Sequence, residues 1–408
     1  MKKFLAMLLA VVMLVALAAC KDTTDPANGD EKVADDFKLG VILLHDEAST
    51  YDKNFIEGVE RAKVALGLDD SQVIMKKNIP EGNECYEAAA DLVDLGCDVI
   101  FADSFGHEDY MIKAAKEFTD VEFCHATGTK AHTEGLANYH NAFASIYEGR
   151  YLAGVAAGLK LNEMIEAGKI TAEEAKMGYI GAFTYAEVMS GYTSFYLGAK
   201  SVCPSVTMDV QFTGSWYDEN EEKNAAIALM NNNCVLISQH ADSMGAPTAC
   251  EERGVPNVSY NGSTKDACPN TFIVSSKIDW APYFKLICEA AQNGEAIPAD
   301  WTGTIETGSV VLTEVNEQAA AAGTVEKMEE VKAALVAGET KVFDTATEGF
   351  ITVGGEALTS YMADVDTDEA FTPDTEAVAD GYFHESEYRS APYFNVNIDG
   401  ITLLNSKF

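Results

Sequence analysis

The chain has 408 residues and a formal net charge of −37 at pH 7, from 65 acidic and 28 basic side chains. So acidic a protein repels nucleic acid and anionic lipid head groups, which argues against both as partners. The length allows two or three domains, each with an ample apolar core.

The first 20 residues have the composition of a bacterial lipoprotein signal. Two lysines precede the apolar run Leu5–Leu17, which is too short to span a membrane. The run ends in Leu-Ala-Ala-Cys, a lipobox whose Cys20 would be lipidated and become the first mature residue. We therefore expect residues 1–19 to be cleaved and the mature protein to be lipid-anchored at the extracytoplasmic face of the cell membrane. An ordinary signal peptide that happens to contain a cysteine is the alternative.

Residues 20–36 are polar and lack periodicity, which predicts a tether between the lipid and the fold. Eight cysteines follow the tether, and an even number in an exported protein allows disulfides. Several of them lie in apolar runs, and the sequence has no CxxC pair and no zinc-like spacing. We therefore favour free, buried thiols. These cysteines are Cys85, Cys97, Cys124, Cys203, Cys234, Cys250, Cys268 and Cys288.

From Phe37 onward, short apolar segments of strand length alternate with amphipathic helical segments. The predicted strands are Lys38–Leu44, Val73–Lys76, Val99–Asp103, Val121–Ala126, Lys176–Ile180, Ser205–Phe212, Cys234–Gln239, Asn257–Tyr260 and Thr271–Ser275. The predicted helices are Asn54–Leu66, Cys85–Leu95, Glu108–Phe118, Ser145–Glu166, Met189–Cys203, Glu219–Asn231, Gly245–Arg253 and Ala281–Gln292. This alternation is typical of βαβ units and parallel sheets.

The repeating units fall into two groups, one before Thr127 and one after Asn138, and together they are too many for one doubly wound sheet. We predict an α/β protein of two doubly wound lobes, with the polar link Gly128–Gly135 as the crossover. Lobe 1 would comprise residues 37–130 and about 276–297, and lobe 2 residues 131–275. Two facing lobes would close about a hinge on a ligand held in the cleft between them.

Residues 298–408 depart from this pattern and are predicted to wrap onto the lobes as a C-terminal segment. Thr302–Thr313 is rich in Thr, Gly and Val and predicts strands, and Thr324–Gly338 predicts a helix. Phe343–Val353 and Val396–Leu404 are interpreted as hairpins, the second with an Asp-Gly turn.

Aromatic and polar side chains recur just after the predicted strands, where doubly wound sheets bind their ligands. Aromatic faces stack on flat heterocycles, and carboxylates and amides bind hydroxyls and ring nitrogens. Asp52 is a candidate N-cap for the first helix, and Phe55 in its first turn either packs in the core or projects into the cleft. The candidate ligand-binding residues from this pattern are Asp46, Phe55, Phe105, His125, Trp216, His240, Asp242 and Asn261.

Catalytic motifs are missing from the sequence. It has no GxSxG, no phosphate loop, no GxGxxG after the first strand and no HExxH. Although His125, His240 and Asp242 allow an acid/base reading, we predict a binding protein with no enzymatic activity, cofactor or metal.

Four segments carry a resemblance to a known family. They are Asp46–Phe55 with its Asp-Lys-Asn-Phe ending, Glu148–Gly154, Gly214–Asp218 and Ser275–Lys277. From about Lys38 to Asn293 the chain resembles the basic membrane protein (BMP) family, lipoproteins that bind purine nucleosides for ABC transporters. The resemblance implies a type I periplasmic-binding-protein-like fold, a purine nucleoside (adenosine, guanosine or inosine) as ligand, ABC permease subunits as partners and a monomer.

The resemblance also implies roles for single residues. Phe55 and Trp216 would sandwich the purine, one from each lobe. Asp46 would contact the polar edge of the ligand, and Lys277 would reach the ribose hydroxyls. Asn261 stands where the family has an aspartate that binds ribose, and His125 or Thr127 stands where it has one that reads the base. Since Asn and His also donate hydrogen bonds, the base preference stays open.

Two other functions stay open on the sequence. One is a sugar or signal receptor on the same fold, and the other is a secreted nucleoside hydrolase. Turnover of the ligand separates the hydrolase from a binding protein, and two aromatic faces favour a flat base over a sugar alone.

Overall fold

The computed structural model describes residues 36–365 and 372–408. The predicted signal peptide, Cys20 and the tether up to residue 35 lie outside the described residues. In the described ranges, every helix is too short or too polar to cross a bilayer. The elements below are numbered in chain order.

The first sheet is wholly parallel and has the strand order β11-β5-β4-β3-β1-β2. Its strands are β1 (Leu39–Ile42), β2 (Val73–Lys76), β3 (Val99–Ala102), β4 (Glu122–Ala126), β5 (Tyr139–Ala144) and β11 (Asp300–Gly303). Most of these residues are buried, because helices cover both faces of the sheet.

The second sheet has the order β12-β10-β9-β8-β6-β7-β19, and only its edge strand β12 runs antiparallel. Its strands are β6 (Lys176–Gly181), β7 (Thr207–Phe212), β8 (Leu236–His240), β9 (Asn257–Tyr260), β10 (Phe272–Ile278), β12 (Val310–Leu312) and β19 (Ile401–Leu403). The two sheets confirm the predicted α/β fold of two doubly wound lobes, named here lobe 1 and lobe 2 in the order of the sheets.

The helices are α1 (Thr50–Leu66), α2 (Asn83–Asp94), α3 (Glu108–Glu117), α4 (Ala131–Glu134), α5 (Ile146–Glu166), α6 (Ala186–Val202), α7 (Glu219–Asn231), α8 (Gly245–Arg253), α9 (Ala281–Asn293) and α10 (Thr324–Val336). In lobe 1, α1 packs against α9 and α2 packs against α3; in lobe 2, α5 packs against α6 and α7 against α8. The predicted N-cap of α1 was wrong, because the helix begins earlier and the Ser49 side chain accepts from the Asp52 backbone N–H.

The chain passes between the lobes three times, after β5, after β10 and after β11. The predicted boundary of lobe 2 at residue 131 was therefore wrong. Strand β5, which the sequence reading missed, pairs with β4 in lobe 1, so the first crossover is at Ser145 and not at Gly128–Gly135. Strand β10 lies in lobe 2 up to Ile278, and α9 and β11 return to lobe 1.

Helices α5 and α6 cross with almost no space between their backbones. A Cβ atom on Gly154 would lie 2.0 Å from the Phe195 carbonyl oxygen, and one on Gly198 would lie 2.0 Å from the Tyr151 carbonyl oxygen. Only glycine allows so close an approach, so two glycines fix the angle at which α5 covers the second sheet. This contact explains the glycine that ends the Glu148–Gly154 segment.

The C-terminal segment contacts both lobes, as its predicted wrapping requires. Strand β11, at the start of the segment, pairs with β5 of lobe 1, and Ser190 Oγ of lobe 2 donates to Glu385 at 2.5 Å. The predicted hairpin at Val396–Leu404 was wrong, because β19 adds to the second sheet parallel to β7. The other strands of the segment form short antiparallel pairs: β13 (Thr352–Val353) with β14 (Glu356–Ala357), β15 (Met362–Ala363) with β16 (Thr375–Glu376), and β17 (Val378–Ala379) with β18 (Tyr382–Phe383).

All eight cysteines of the described chain are free and buried, which confirms the favoured reading. Burial raises the pKa of the Cys97 and Cys268 thiols to about 11. These side chains therefore act as small apolar core residues.

Candidate functional site

A cavity lies between the two lobes at the carboxyl ends of the parallel strands. It contains about 370 Å³ of space outside the protein atoms, part of it open to solvent. Lobe 1 contributes the loops after β1, β3 and β4 and the first turn of α1, and lobe 2 contributes the loops after β7 and β8, the end of β9 and the start of α6. Its lining residues are Leu44, His45, Tyr51, Asp52, Ser104, Phe105, Thr127, Glu187, Trp216, His240, Asp242 and Tyr260.

The lobe 1 wall is held by hydrogen bonds among neighbouring loops. The Asp52 carboxylate accepts from the His45 backbone N–H at 2.7 Å, and the Tyr51 hydroxyl donates to the Asp103 carbonyl oxygen at 2.7 Å. The Ser104 hydroxyl donates to Glu81 at 2.5 Å. Thr127 has a left-handed backbone, with φ +67°, which is strained for a β-branched residue.

The lobe 2 wall is formed by the ends of β8 and β9 and the first turn of α6. His240 Nε2 lies 3.4 Å from a Glu187 carboxylate oxygen, and the His240 ring packs on Tyr260 with 4.4 Å between centroids. The Asp242 carboxylate accepts from the Asn261 side-chain amide at 3.3 Å. The Trp216 carbonyl oxygen accepts from the Asp242 backbone N–H at 2.9 Å, which ties the Trp216 loop to the same wall.

An aromatic row crosses the mouth of the cavity from one lobe to the other. Phe105 of lobe 1 stacks on Tyr185 of lobe 2 with 5.0 Å between ring centroids and 28° between planes. Tyr185 stacks in turn on Phe183, whose ring meets Trp216 edge-on at 5.1 Å. Because the row includes rings of both lobes, the two lobes are in contact at the rim of the cavity.

Direct interlobe hydrogen bonds accompany this row. The Thr50 backbone N–H and hydroxyl both donate to the Asp242 carbonyl oxygen, at 3.1 and 3.2 Å. The Asn54 amide of α1 donates to the Asn261 side-chain oxygen at 3.2 Å. These contacts identify the conformation as a closed one.

The buried carboxyl groups around the cavity titrate differently. Burial raises the pKa of Asp242 well above its usual range, and the charges of Glu222 and Asp52 add to this. Burial and the charge of Asp52 raise the pKa of Asp103 in the same way. Burial opposes ionisation of Asp52 too, but hydrogen bonds from His45, Ser49 and Asp103 outweigh it and hold the Asp52 pKa below its usual value. The environment therefore favours the neutral form of Asp103 and the ionised form of Asp52.

Behind the lobe 2 wall lies a fully buried cation, Arg150 of α5. Its guanidinium donates to the hydroxyls of Ser238 and Tyr179, at 2.8 and 3.0 Å, and to the Ser259 carbonyl oxygen at 3.3 Å. It lies 5.1 Å from the centroid of the Tyr260 ring, which separates it from the cavity. One side chain thus joins β6, β8 and β9 at the ends that form the wall.

The structure places four of the sequence-predicted residues on the cavity wall: Phe105, Trp216, His240 and Asp242. Phe105 and the other three come from opposite lobes, which is the arrangement that the two-lobe prediction requires. Their contact with a ligand stays a prediction.

Five predicted residues do not line the cavity. Phe55 is a fully buried core residue stacked on Trp280 at 4.4 Å, so its predicted sandwich with Trp216 was wrong in this conformation. His125 is also fully buried, with Nε2 on the Ser104 carbonyl oxygen at 2.7 Å and a pKa lowered by burial to about 4. In place of these two side chains, Tyr51 and Thr127 face the cavity.

The other three departures have local causes. The Asp46 carboxylate caps its own loop, accepting from the Ala48 backbone N–H at 3.0 Å. Lys277 lies near the end of β10, just before the crossover, and pairs with Glu57 of α1 at 3.0 Å. Asn261 lies directly behind Asp242 and positions it through their hydrogen bond.

Several lining residues were not predicted from the sequence. His45, Ser104 and Tyr260 belong to the strand-end segments that pointed to the cleft, but a neighbour in each segment was chosen instead. Glu187 lies in the first turn of α6, and nothing in the sequence marks its carboxylate as buried. Within the described ranges, no three His, Cys, Asp or Glu side chains are grouped so that they would hold a metal ion.

Comparison with known proteins gives a consistent picture. The family model of PnrA-like ABC transporter substrate-binding proteins (Bmp) matches residues 41–343. The chain is 31% identical to a purine-binding protein of Brucella abortus over 293 residues, 69% of this chain and 75% of that protein. It is 32% identical to a putative ABC transporter glucose-binding protein of Haloferax volcanii over 217 residues, 53% of this chain and 52% of that protein.

Among solved structures, the fold is similar to that of an ABC transporter solute-binding protein from Conexibacter woesei. The TM-score is 0.61 at 18% identity, and the match covers 75% of this chain and 98% of that chain. At this identity the likeness concerns the fold alone, and it agrees with the two lobes described above.

Proposed function

The chain belongs to the Bmp family of PnrA-like ABC transporter substrate-binding proteins, and from this premise we propose that it captures a purine nucleoside between its lobes and delivers it to an ABC permease. The protein would act outside the cytoplasm as a monomer and return its ligand unchanged. Closure of the lobes on the ligand would form the surface that the permease subunits recognise.

The observation that carries this proposal is the composition of the interlobe cavity. Trp216 and Tyr51 supply aromatic faces from the two lobes, and Asp52, Asp242 and Glu187 supply hydrogen-bond acceptors. A nucleoside presents a flat base for the rings and ribose hydroxyls for the carboxylates. The roles of these residues are part of the proposal.

The lipobox at Cys20 supports a lipid anchor as the second part of the proposal. The lipid on Cys20 and the peptide tether of residues 20–36 would keep the protein near its permease and raise its effective concentration there. Metabolic labelling with a palmitate analogue tests this part, since Cys20→Ser is expected to abolish labelling and release the protein from the membrane.

A sugar is the second candidate ligand. It is favoured by the burial of Phe55, which leaves one fewer ring for a base. It is also favoured by the carboxylates on the wall, since paired acceptors bind sugar hydroxyls well. The Haloferax relative, a putative glucose-binding protein, points the same way.

A thermal-shift screen of the purified protein against adenosine, guanosine, inosine, ribose and glucose tests the choice. We expect a rise in melting temperature with one or more nucleosides and none with ribose alone. A shift with glucose and with no nucleoside would replace the proposed ligand with a sugar. Liquid chromatography of the recovered ligand checks that it is not cleaved.

A further inference from the structure

The wall of the cavity carries acidic side chains from both lobes. Asp52 from lobe 1 and Glu187 from lobe 2 bring carboxylates to it, and Asp242 adds a carboxyl group whose pKa burial raises well above its usual range. Among the described residues of this wall there is no lysine and no arginine. A ligand in the cavity would therefore face carboxylates from both sides.

The imidazoles and the buried arginine offset this arrangement only in part. His45 Nδ1 lies 3.4 Å from Asp52, and burial lowers the pKa of His240, which keeps it neutral beside Glu187. Arg150 is separated from the cavity by the Tyr260 ring and donates its hydrogen bonds to groups of the second sheet. Its charge still acts on His240 and Tyr260, so it offsets part of the negative charge of the wall.

The remaining surface of the cavity also suits a cation. The rings of Tyr51, Phe105, Trp216 and Tyr260 line it, and the face of an aromatic ring attracts positive charge. The Thr127 hydroxyl lies on the same wall, is buried and has no hydrogen-bond partner in the described structure. A buried hydroxyl without a partner on a strained backbone points to a group supplied by the ligand.

We infer that the cavity selects its ligand by charge: a purine nucleoside with a positively charged base binds more tightly than its neutral isomer, and a phosphorylated nucleoside is rejected. This inference rests on the proposed function, because it concerns the ligand of the same cavity. A fixed positive charge would be attracted by the carboxylates and by the ring faces, whereas a phosphate would be repelled by the same carboxylates.

Isothermal titration calorimetry with a matched pair of ligands tests this inference. At neutral pH 1-methyladenosine is a cation, and N6-methyladenosine is its neutral isomer. We expect the cation to bind at least about tenfold more tightly and adenosine monophosphate to give no measurable binding. Guanosine and 7-methylguanosine at mildly acidic pH repeat the comparison with the methyl group elsewhere on the base.

A pair of variants tests whether the carboxylates of the wall cause the preference for the cationic ligand. Glu187→Gln removes one carboxylate of the cavity and is expected to reduce the preference for the cation by about threefold to tenfold. Glu163→Gln removes an exposed carboxylate of α5 and is expected to leave the preference unchanged. If both variants alter it equally, the net charge of the protein and not the wall sets the preference, and the inference is wrong.

The outcomes separate this inference from the proposed function. If cationic nucleosides, neutral nucleosides and adenosine monophosphate all bind with the same affinity, the inference is wrong and the proposed function stands. If no nucleoside binds but 1-methylnicotinamide binds where nicotinamide does not, the charge selection holds and the purine assignment fails.

Discussion

The two lobes hold their halves of the cavity by different means. In lobe 1 the wall is a chain of local contacts, in which Tyr51, Asp52 and Asp103 each bind a neighbouring loop. In lobe 2 the wall is held from behind, where the buried guanidinium of Arg150 joins three strands of the sheet. A single substitution should therefore act locally in lobe 1 and on the whole wall in lobe 2.

The strongest test of this difference is Arg150→Ala. The substitution removes a fully buried side chain and leaves the hydroxyls of Ser238 and Tyr179 without their donor. We expect the free energy of unfolding to fall by about 3–5 kcal/mol in chemical denaturation. Arg253→Ala, on an exposed arginine of the same lobe, is the control and should cost less than about 0.5 kcal/mol. Equal losses would show that lobe 2 is not organised around Arg150.

A second buried group supports the lobe 2 wall and should make stability depend on pH. The Glu222 carboxylate accepts from the Ser243 backbone N–H, next to Asp242, and burial raises its pKa to about 7. The folded state therefore holds a proton that the unfolded state loses above its lower pKa. The contribution of this group to stability is fully present below pH about 4.5 and is lost as the pH rises to about 7, by up to about 3 kcal/mol.

Denaturation curves of Glu222→Gln between pH about 5 and 8 check this prediction. The variant should show a flatter decline in the free energy of unfolding than the unmodified protein, because its amide does not titrate. Glu221→Gln, on the exposed side of the same helix, should keep the original slope. An unchanged slope in both variants would assign the pH dependence to other carboxyl groups, such as Asp103 of lobe 1.

Trp216→Ala addresses ligand binding on the lobe 2 side. Losing one stacked ring costs about 1–3 kcal/mol, so we expect nucleoside affinity to fall by roughly tenfold while the fold stays intact. Trp301→Ala, at a half-buried tryptophan that does not line the cavity, is the matched control for affinity. Calorimetric titration measures both, and an unchanged affinity in Trp216→Ala would remove this ring from the site.

The sequence predicted the alternating elements and the cleft, because strand and helix periodicity reflect burial within each βαβ unit. It missed β5 and assigned its residues to lobe 2, because Tyr139–Ala144 is preceded by a short helix and followed by the long α5, and local pattern does not show which sheet a strand joins. The same limit explains β19, whose partner β7 lies almost 200 residues away in the chain.

For the site, the sequence predicted which segments border the cavity better than it predicted which side chains face it. Strand ends are visible in a sequence, but the direction of a side chain in the following turn depends on backbone angles there. Thr127 faces the cavity and His125 does not, since the left-handed turn at Thr127 follows the last residue of β4. Phe55 is buried because Trp280 of α9, far along the chain, packs on its ring.

The smallest expected effect concerns the rim of the cavity, where each lobe contributes one ring to the contact. Phe105 of lobe 1 stacks on Tyr185 of lobe 2, and both rings are partly exposed, so the pair contributes about 0.5–1.5 kcal/mol to the closed state. Phe105→Ala should therefore speed ligand release by severalfold and change the rate of association little, because association precedes closure. Stopped-flow measurement of intrinsic tryptophan fluorescence reports both rates, and Phe105→Tyr, which keeps the stack, should restore slow release. If Phe105→Ala instead slows association alone, the ring guides ligand entry, and its stack on Tyr185 does not stabilise the closed state.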